Sequence, residues 1–443
     1  MTVPGGGPGY NAAPRQAPMR PIRFLHAADL HLDSPFRGHV ENAGDFGPAI
    51  REATFATFSR LIDTAIAEKV DFVLLAGDLY DARDGSLRAQ LRLRDGLVRL
   101  DDARIRSYVV HGNHDPLSGR AAQVALPPLA HVFDGAIATV EVKREWETIA
   151  TVTGVSYARP EITENLARQF PEPASSPFAI ALLHANLGGD AAHANYAPCT
   201  REDLAAKSFR YWALGHVHQQ AVHSLGSGVI AAYPGNPQGR SVRETGPRGC
   251  LLVEVSDAGA ITTKAIALDE VRWHRPRVSI EGCTTIDALE ERIAEEIRAT
   301  IAVTGHEPAG HVLRVELAGR GPLHPTLSRS SDLEDLGRSL RKRWLEQSTA
   351  HRFVLLEGLV DSTARATDRS ALRDEQTLLG DALRLADEQK NHDAPDRAKL
   401  REQLDAVSKR TRGLVVAPGD EDLDRLLDRA AELAIDLLDE DVA

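Results

Sequence analysis

Between Ile22 and about Leu268, short apolar runs recur, several of them separated by stretches with helical spacing. Ile22–Ala28, Phe72–Ala76, Ile105–Val110, Phe178–Leu183 and Tyr211–Leu214 are each almost continuously apolar. Such runs suit strands covered on both faces, because alternate side chains then enter two buried layers. Phe58, Leu61, Ile62, Ala65 and Ile66 have helical spacing, so a helix connects the first two strands. Val229–Tyr233, Cys250–Val255 and Ile261–Leu268 follow without helices between them and predict a second, more antiparallel sheet.

A smaller α+β pattern occupies about 270–360. Val271–Ile280, Val312–Leu317 and Phe353–Leu356 are its strands. Ile286, Leu289, Ile293, Ile297 and Ile301 line one helix, and Leu333, Leu336, Leu340 and Trp344 another. Beyond about 365 the pattern is helical and polar. Leu423, Leu426, Leu427, Ala430, Leu433, Ala434 and Leu437 draw an apolar stripe along its end. The pattern therefore divides the chain into residues 1–20, 21–269, 270–360 and 361–443. The first 20 residues, rich in Gly, Pro and Ala, are expected to be a disordered tail, with Met19 a second candidate start.

Each of the five buried strands runs into ligand-type residues. The first ends in Asp29-Leu30-His31, and the second in Gly77-Asp78-Leu79-Tyr80-Asp81. The third leads to Gly112-Asn113-His114-Asp115, the fourth to His184, and the fifth to Gly215-His216-Val217-His218. The carboxyl ends of such strands are where open α/β sheets place their sites. Singly the motifs mean little: Asp-x-His recurs by chance, and Gly-Asp-x-x-Asp is often a turn before a helix cap. In this order, all at strand ends, they form one inventory.

That inventory suits phosphate ester hydrolysis. The reaction needs a nucleophile at neutral pH, charge stabilisation on the phosphoryl oxygens, and a proton for the leaving group. Two cations about 3.5–4 Å apart supply the first two. The proton must come from a group that is not itself a ligand. Asp, His and Asn donors without thiolates suit Mn, Fe or Zn.

The series resembles the signature of the calcineurin-like metallophosphoesterase superfamily, over about 22–270. The resemblance implies an α/β fold: a four-layer, two-sheet sandwich flanked by helices, followed by a small α+β capping domain and a helical C-terminus. It also implies that Asp29, His31, Asp78 and His218 hold one metal. Asp78, Asn113, His184 and His216 would hold the other, with Asp78 bridging. His114 would stabilise the transition state and protonate the leaving oxygen, with Asp115 orienting it.

Two further stretches resemble bacterial DNA repair exonucleases of the YhaO group, relatives of SbcD-type nucleases. They are Ala28-Asp29-Leu30-His31-Leu32-Asp33-Ser34-Pro35-Phe36 and Tyr233-Pro234-Gly235-Asn236-Pro237-Gln238-Gly239-Arg240. The resemblance implies a manganese-dependent DNA exonuclease. It further implies a coiled-coil, SMC-like ATPase engaging the C-terminal helices; a homodimer is a further expectation. Arg240 and Arg243, clustered with Arg248 behind the last motif, are the candidate DNA contacts. Arg272, Arg275 and Arg277 form a second basic group, and Arg88, Arg92 and Arg99 share one helical face. Each group equally suits a solvated surface. His111, His131, His193 and His223 lie near the motifs without the family spacing and are expected to be structural or exposed.

The net charge of −12 changes this picture little. From Asp420 onward there are ten acidic residues against Arg425 and Arg429, so most of the excess sits in the tail. Cys199, Cys250 and Cys283 have no metal spacing and cannot all pair, which points to buried thiols and a cytoplasmic location. No apolar run approaches the roughly 20 residues that cross a bilayer, so no membrane partner is expected. Two competing readings remain: a phosphatase or cyclic-nucleotide phosphodiesterase on the same core, and a metal-binding scaffold for an ATPase. A scaffold would not require His114.

Overall fold

Strand by strand, the apolar runs divide their side chains between two layers. In the computed structural model, Leu25 and Ala27 face one hydrophobic cluster, whereas Ile22, Phe24 and Ala28 face another. Residues 20–36, 46–81, 86–119, 124–173, 176–189, 195–302, 305–349, 352–391, 394, 396–410 and 420–438 are described. Residues 1–19 of the expected tail, and His193, lie outside them.

The first part runs through β1 (Ile22–Ala27), α1 (Gly47–Ala67), β2 (Phe72–Ala76), α2 (Leu87–Asp102), β3 (Arg106–Val110), β4 (Ala130–Val132), β5 (Ala138–Arg144) and β6 (Glu147–Gly154). It continues through β7 (Ala179–His184), α3 (Arg201–Ala205), β8 (Tyr211–Gly215), β9 (Ala221–Gly226), β10 (Val229–Tyr233), β11 (Gly249–Val255) and β12 (Ile261–Ala267). One six-stranded sheet has the order β12-β11-β1-β2-β3-β4, and a second β5-β6-β7-β8-β10-β9. Phe24, Phe72 and Leu74 of the first sheet pack against Ile180, Leu182 and Tyr211 of the second. On the outer face of the first sheet, Phe58 and Leu61 of α1 and Leu93 and Leu97 of α2 close the layer. Connecting segments and α3 cover the outer face of the second, through Phe170, Leu204 and Phe209.

The later apolar runs do not make a separate antiparallel sheet. β11 joins the first sheet antiparallel to β1, and β12 extends its edge. β10 enters the second sheet parallel to β8, with β9 antiparallel at its side. A missing helix marks an antiparallel neighbour but not the sheet it belongs to, which is why the run pattern misassigned them.

The second, α+β part contains β13 (Val271–His274), β14 (Arg277–Ser279), α4 (Ile286–Ile301), β15 (Gly310–Gly321), α5 (His324–Leu327), α6 (Ser330–Glu346) and β16 (Phe353–Arg365). The single strand expected over Val271–Ile280 is broken around Pro276, which has no N–H to give a ladder. β15 pairs in parallel with β13, β14 and β16. Leu289, Ile293 and Ile297 of α4 and Leu340 and Trp344 of α6 pack on one face of this sheet. A separate cluster joins the two parts: Phe46, Ile50 and Ala53 at the start of α1 pack with Val271, Trp273, Val312, Phe353 and Leu355.

The C-terminal part is helical, with α7 (Arg369–Asp374), α8 (Leu378–Gln389), α9 (Arg397–Arg410) and α10 (Asp420–Leu438). Ala431 and Ile435 of α10 pack against Leu379, Leu383 and Ala386 of α8. Leu426, Leu433 and Leu437 face outward. No helix among the described residues is long and apolar enough to cross a membrane.

Candidate metal centre and active site

The five strand ends meet where the two sheets face each other. The loops after β1 and β2 are laced together by Asp29 N–H to Gly77 O at 2.9 Å and His31 N–H to Asp78 O at 3.0 Å. To turn their side chains into this seam, several residues accept left-handed backbone: Asp29 (φ 54°), His31 (φ 43°), Asp78 (φ 51°) and His216 (φ 103°). Positive φ at such residues costs of the order of 1–3 kcal/mol each, a strain typical of sites fixed by their surroundings. Gly112 is there for closeness, since a Cβ at that position would strike Asp78 and His184.

Asp29, His31 and His218 bring ligand atoms within 4.8 Å of one another, as do Asp29, Asp78 and His184, and His31, Asp78 and His114. Asn113 joins them, its Oδ1 lying 3.0 Å from His184 Nε2 and 3.2 Å from His216 Nδ1. The structure thus brings together all seven expected ligands. Asp29, His31, Asp78, His184 and His216 are buried.

The donor set fits divalent cations on its own chemistry. Ala76 O lies 2.9 Å from His184 Nδ1 and can only accept, so Nδ1 donates and Nε2 is the ring nitrogen turned toward the cluster. That nitrogen lies 3.0 Å from Asn113 Oδ1 and 3.4 Å from Asp78 Oδ2. Glu244 Oε1 likewise accepts from His218 Nδ1 at 2.7 Å, leaving His218 Nε2 against His31 Nε2 at 3.2 Å. Acceptors converging at such distances call for positive charge between them. Burial would lower the pKa of His184, but Asp78 overrides it and carries it up to about 9. Burial, with Arg240 second, holds His31 down at about 4. Burial lifts Asp29 to about 6 against the pull of His218 and His184.

His114 is placed differently from the ligands. Its side chain is 44% exposed, and its Nδ1 is hydrogen-bonded to Asp81 Oδ1. Burial lowers its pKa, but the Asp81 hydrogen bond and the charges of Asp78 and Asp81 raise it overall. The expectation that Asp115 orients His114 is corrected here. Asp115 Oδ1 accepts from Gly112 N–H at 2.7 Å and Asp78 N–H at 3.2 Å, and Oδ2 from Leu79 N–H at 3.0 Å. Its remaining partner is His111 Nδ1 at 3.0 Å. Asp115 is therefore a clamp on the loop backbones, and Asp81 is the carboxylate that aims His114. Ser34 holds Asp81 in turn through a hydrogen bond to Oδ2. Asp81 sits within the second strand-end motif, but spacing alone does not separate it from a cap residue. Glu244 gave less signal still: it is a lone acid inside a basic stretch.

The arginines split. Arg240 lies near enough to His31, His114 and Glu244 to act on all three electrostatically. Arg243 is exposed. Arg248 is buried, donating to Glu244 O at 3.0 Å, His218 O at 2.5 Å and Asn236 Oδ1, so it is structural. Arg272 makes a buried pair with Asp269 at 2.7 and 2.9 Å. Arg275 and Arg277 pair with Glu316, Arg88 with Glu52 and Asp33, and Arg99 with Asp63. Arg92 lies over the Phe55 ring, 5.8 Å from its centroid. His131 packs on Phe133, and His223 lies near Tyr233. Cys199, Cys250 and Cys283 are free and buried.

Similarity to known proteins agrees with this geometry. The calcineurin-like phosphoesterase family matches residues 22–220, and the middle domain of metallophosphoesterase YhaO matches residues 273–364. The chain is 34% identical over 343 residues to the uncharacterized metallophosphoesterase YhaO of Bacillus subtilis, spanning 77% of this chain and 82% of that protein. It is 31% identical over 226 residues to the DNA double-strand break repair protein Mre11 of Sulfurisphaera tokodaii, spanning 49% of this chain and 54% of that protein. With Mre11 of Aeropyrum pernix the identity is 27% over 296 residues, spanning 63% and 69% respectively. The converging strand ends and the likeness along most of the YhaO protein lead to one conclusion: the chain belongs to the calcineurin-like metallophosphoesterase family.

Proposed function

We propose that this chain is a two-metal phosphodiester hydrolase acting on DNA, an exonuclease of repair type that uses manganese. The observation that carries the reading is His114, an exposed imidazole aimed by Asp81 at the edge of a largely buried cluster of seven candidate ligands. The DNA assignment is supported by the likeness to relatives named DNA double-strand break repair proteins. Bound among Asp29, His31, Asp78, Asn113, His184, His216 and His218, two divalent cations would polarise the phosphoryl oxygens and acidify a water. His114, whose pKa Asp81 and Asp78 raise against burial, would give its Nε2 proton to the leaving oxygen. Arg240 supplies fixed positive charge for the non-bridging oxygens of the same phosphate. A coiled-coil ATPase is proposed as partner of the C-terminal helices, whose Leu426, Leu433 and Leu437 are exposed.

The test offers purified protein with Mn²⁺, and in parallel Zn²⁺ or Fe²⁺, duplex DNA, single-stranded DNA and a small chromogenic phosphodiester. DNA should be shortened from its ends with Mn²⁺, and the rate should fall as salt rises, because phosphate contacts release counterions. Rapid turnover of small phosphate esters with DNA left intact would instead support the phosphatase or cyclic-nucleotide reading.

A further inference from the structure

The segment between β10 and β11 carries no expected metal ligand, yet it touches the site in several places. Glu244 lies at its centre with its side chain 14% exposed. Its Oε1 accepts from His218 Nδ1 at 2.7 Å, and its Oε2 accepts from the Arg240 backbone N–H at 2.6 Å. The Glu244 carbonyl is held by Arg248, which also donates to His218 O. The segment is fastened to the first strand of the cap as well. Trp273 Nε1 donates to Gly239 O at 3.0 Å, Gly246 N–H to Trp273 O at 3.0 Å, and Gln238 Nε2 to Val271 O at 2.6 Å.

We propose that Glu244 is a positioning residue that serves a metal ligand and the substrate arginine with one carboxylate. One oxygen fixes the tautomer and direction of His218, so that Nε2 is presented to the cation. The other fixes the backbone from which the Arg240 side chain extends beside His31 and His114. Carboxylates behind ligand imidazoles typically contribute 10–100-fold to metal affinity. The inference rests on the two-metal reading above, but its primary readout uses no substrate.

Two variants separate the roles. In Glu244→Ala both interactions are lost. In Glu244→Gln the amide oxygen still accepts from His218, whereas the amide nitrogen cannot accept from the Arg240 N–H. Mn²⁺ binding is followed by calorimetry and by the electron paramagnetic resonance of the bound ions, and KM and kcat on a small chromogenic phosphodiester. Glu244→Ala should weaken one of two Mn²⁺ positions about 10–100-fold, so that the coupled two-ion signal gives way to a single-ion signal at limiting metal. Glu244→Gln should keep the coupled signal while raising KM several-fold. Thermal midpoints measured in chelator should stay near that of the parent protein. The proposal falls if Glu244→Ala binds both ions as the parent does. It also falls if Glu244→Ala unfolds and Glu244→Gln matches the parent in both metal binding and KM. Failure to cut DNA with these metal results intact would overturn the substrate assignment and leave the role of Glu244 standing.

Discussion

Asp81 and Asp115 are both carboxylates beside His114, and what reaches them makes their roles opposite. Asp115 satisfies three backbone N–H groups, each worth about 1–3 kcal/mol if left buried and unpaired. Asp115→Ala should therefore lower the thermal midpoint in chelator, by about 1–3 kcal/mol or more in stability. Asp81→Ala should leave that midpoint closer to the parent's while reducing kcat about 10²–10⁴-fold, the usual size of a general-acid contribution. Stability loss for Asp81→Ala with kcat unchanged, and the reverse for Asp115→Ala, would reverse the two assignments. The arginines also separate at this scale. On the proposed role of Arg240 beside His114, Arg240→Ala should slow both DNA and a small diester. Arg243→Ala should weaken DNA alone, and flatten its salt dependence slightly. Equal loss on both substrates for Arg243→Ala would place it in the active site too.

Among the elements, α10 shows how a helical stripe can be shared. Leu423, Leu427, Ala431 and Ile435 are buried, while Leu426, Leu433 and Leu437 are not. Ion pairs lock this docking: Asp428 with Arg369 and Lys390, and Glu432 with Arg320. Leu427→Ala should cost about 2–5 kcal/mol, as large-to-small core changes do. Leu433→Lys should be neutral for folding, and should weaken only binding to a helical partner. A cooperative melt indifferent to Leu427→Ala, checked by calorimetry, would contradict the packing. The sequence carried the stripe but not its division, because periodicity reports apolar positions and not how many neighbours share them. The strands behave similarly. β1, β2, β3, β7 and β8 were legible as apolar runs ending in ligands, but their separation into two sheets was not. β5 and β6 escaped notice because Thr and charged residues dilute their apolar pattern. In the site, residues that carry the chemistry stood out by type and position. Asp81 and Glu244 did not, because their roles depend on partners 33 and 26 residues away.

At the scale of the molecule, buried imidazoles tie stability to pH. Burial lowers His26 to about 3, and burial lowers His274 and His311 to about 4. The latter two face each other at 2.9 Å, with Arg272 lowering both and Asp269 opposing it. Because these folded-state values lie below the ordinary 6.5, the unfolded chain takes up protons first as pH falls. Their stabilisation is complete above about pH 6.5 and is lost on acidification, by up to about 1.4 kcal/mol per pH unit per group. In chelator, His274→Asn with His311→Asn should flatten the fall in thermal midpoint between about pH 7 and 5. An unchanged slope would contradict this. On the proposed reading, strand ends from both sheets build one two-metal site, with Asp78 shared and His114 outside the ligand set. Bound manganese per chain, measured beside single-turnover hydrolysis, separates these roles. The parent protein and His114→Ala should each hold about two ions, with His114→Ala slowed about 10²-fold or more. Asp78→Asn should lose both metal and activity. If His114→Ala loses manganese as severely as Asp78→Asn, the division between ligands and acid is wrong.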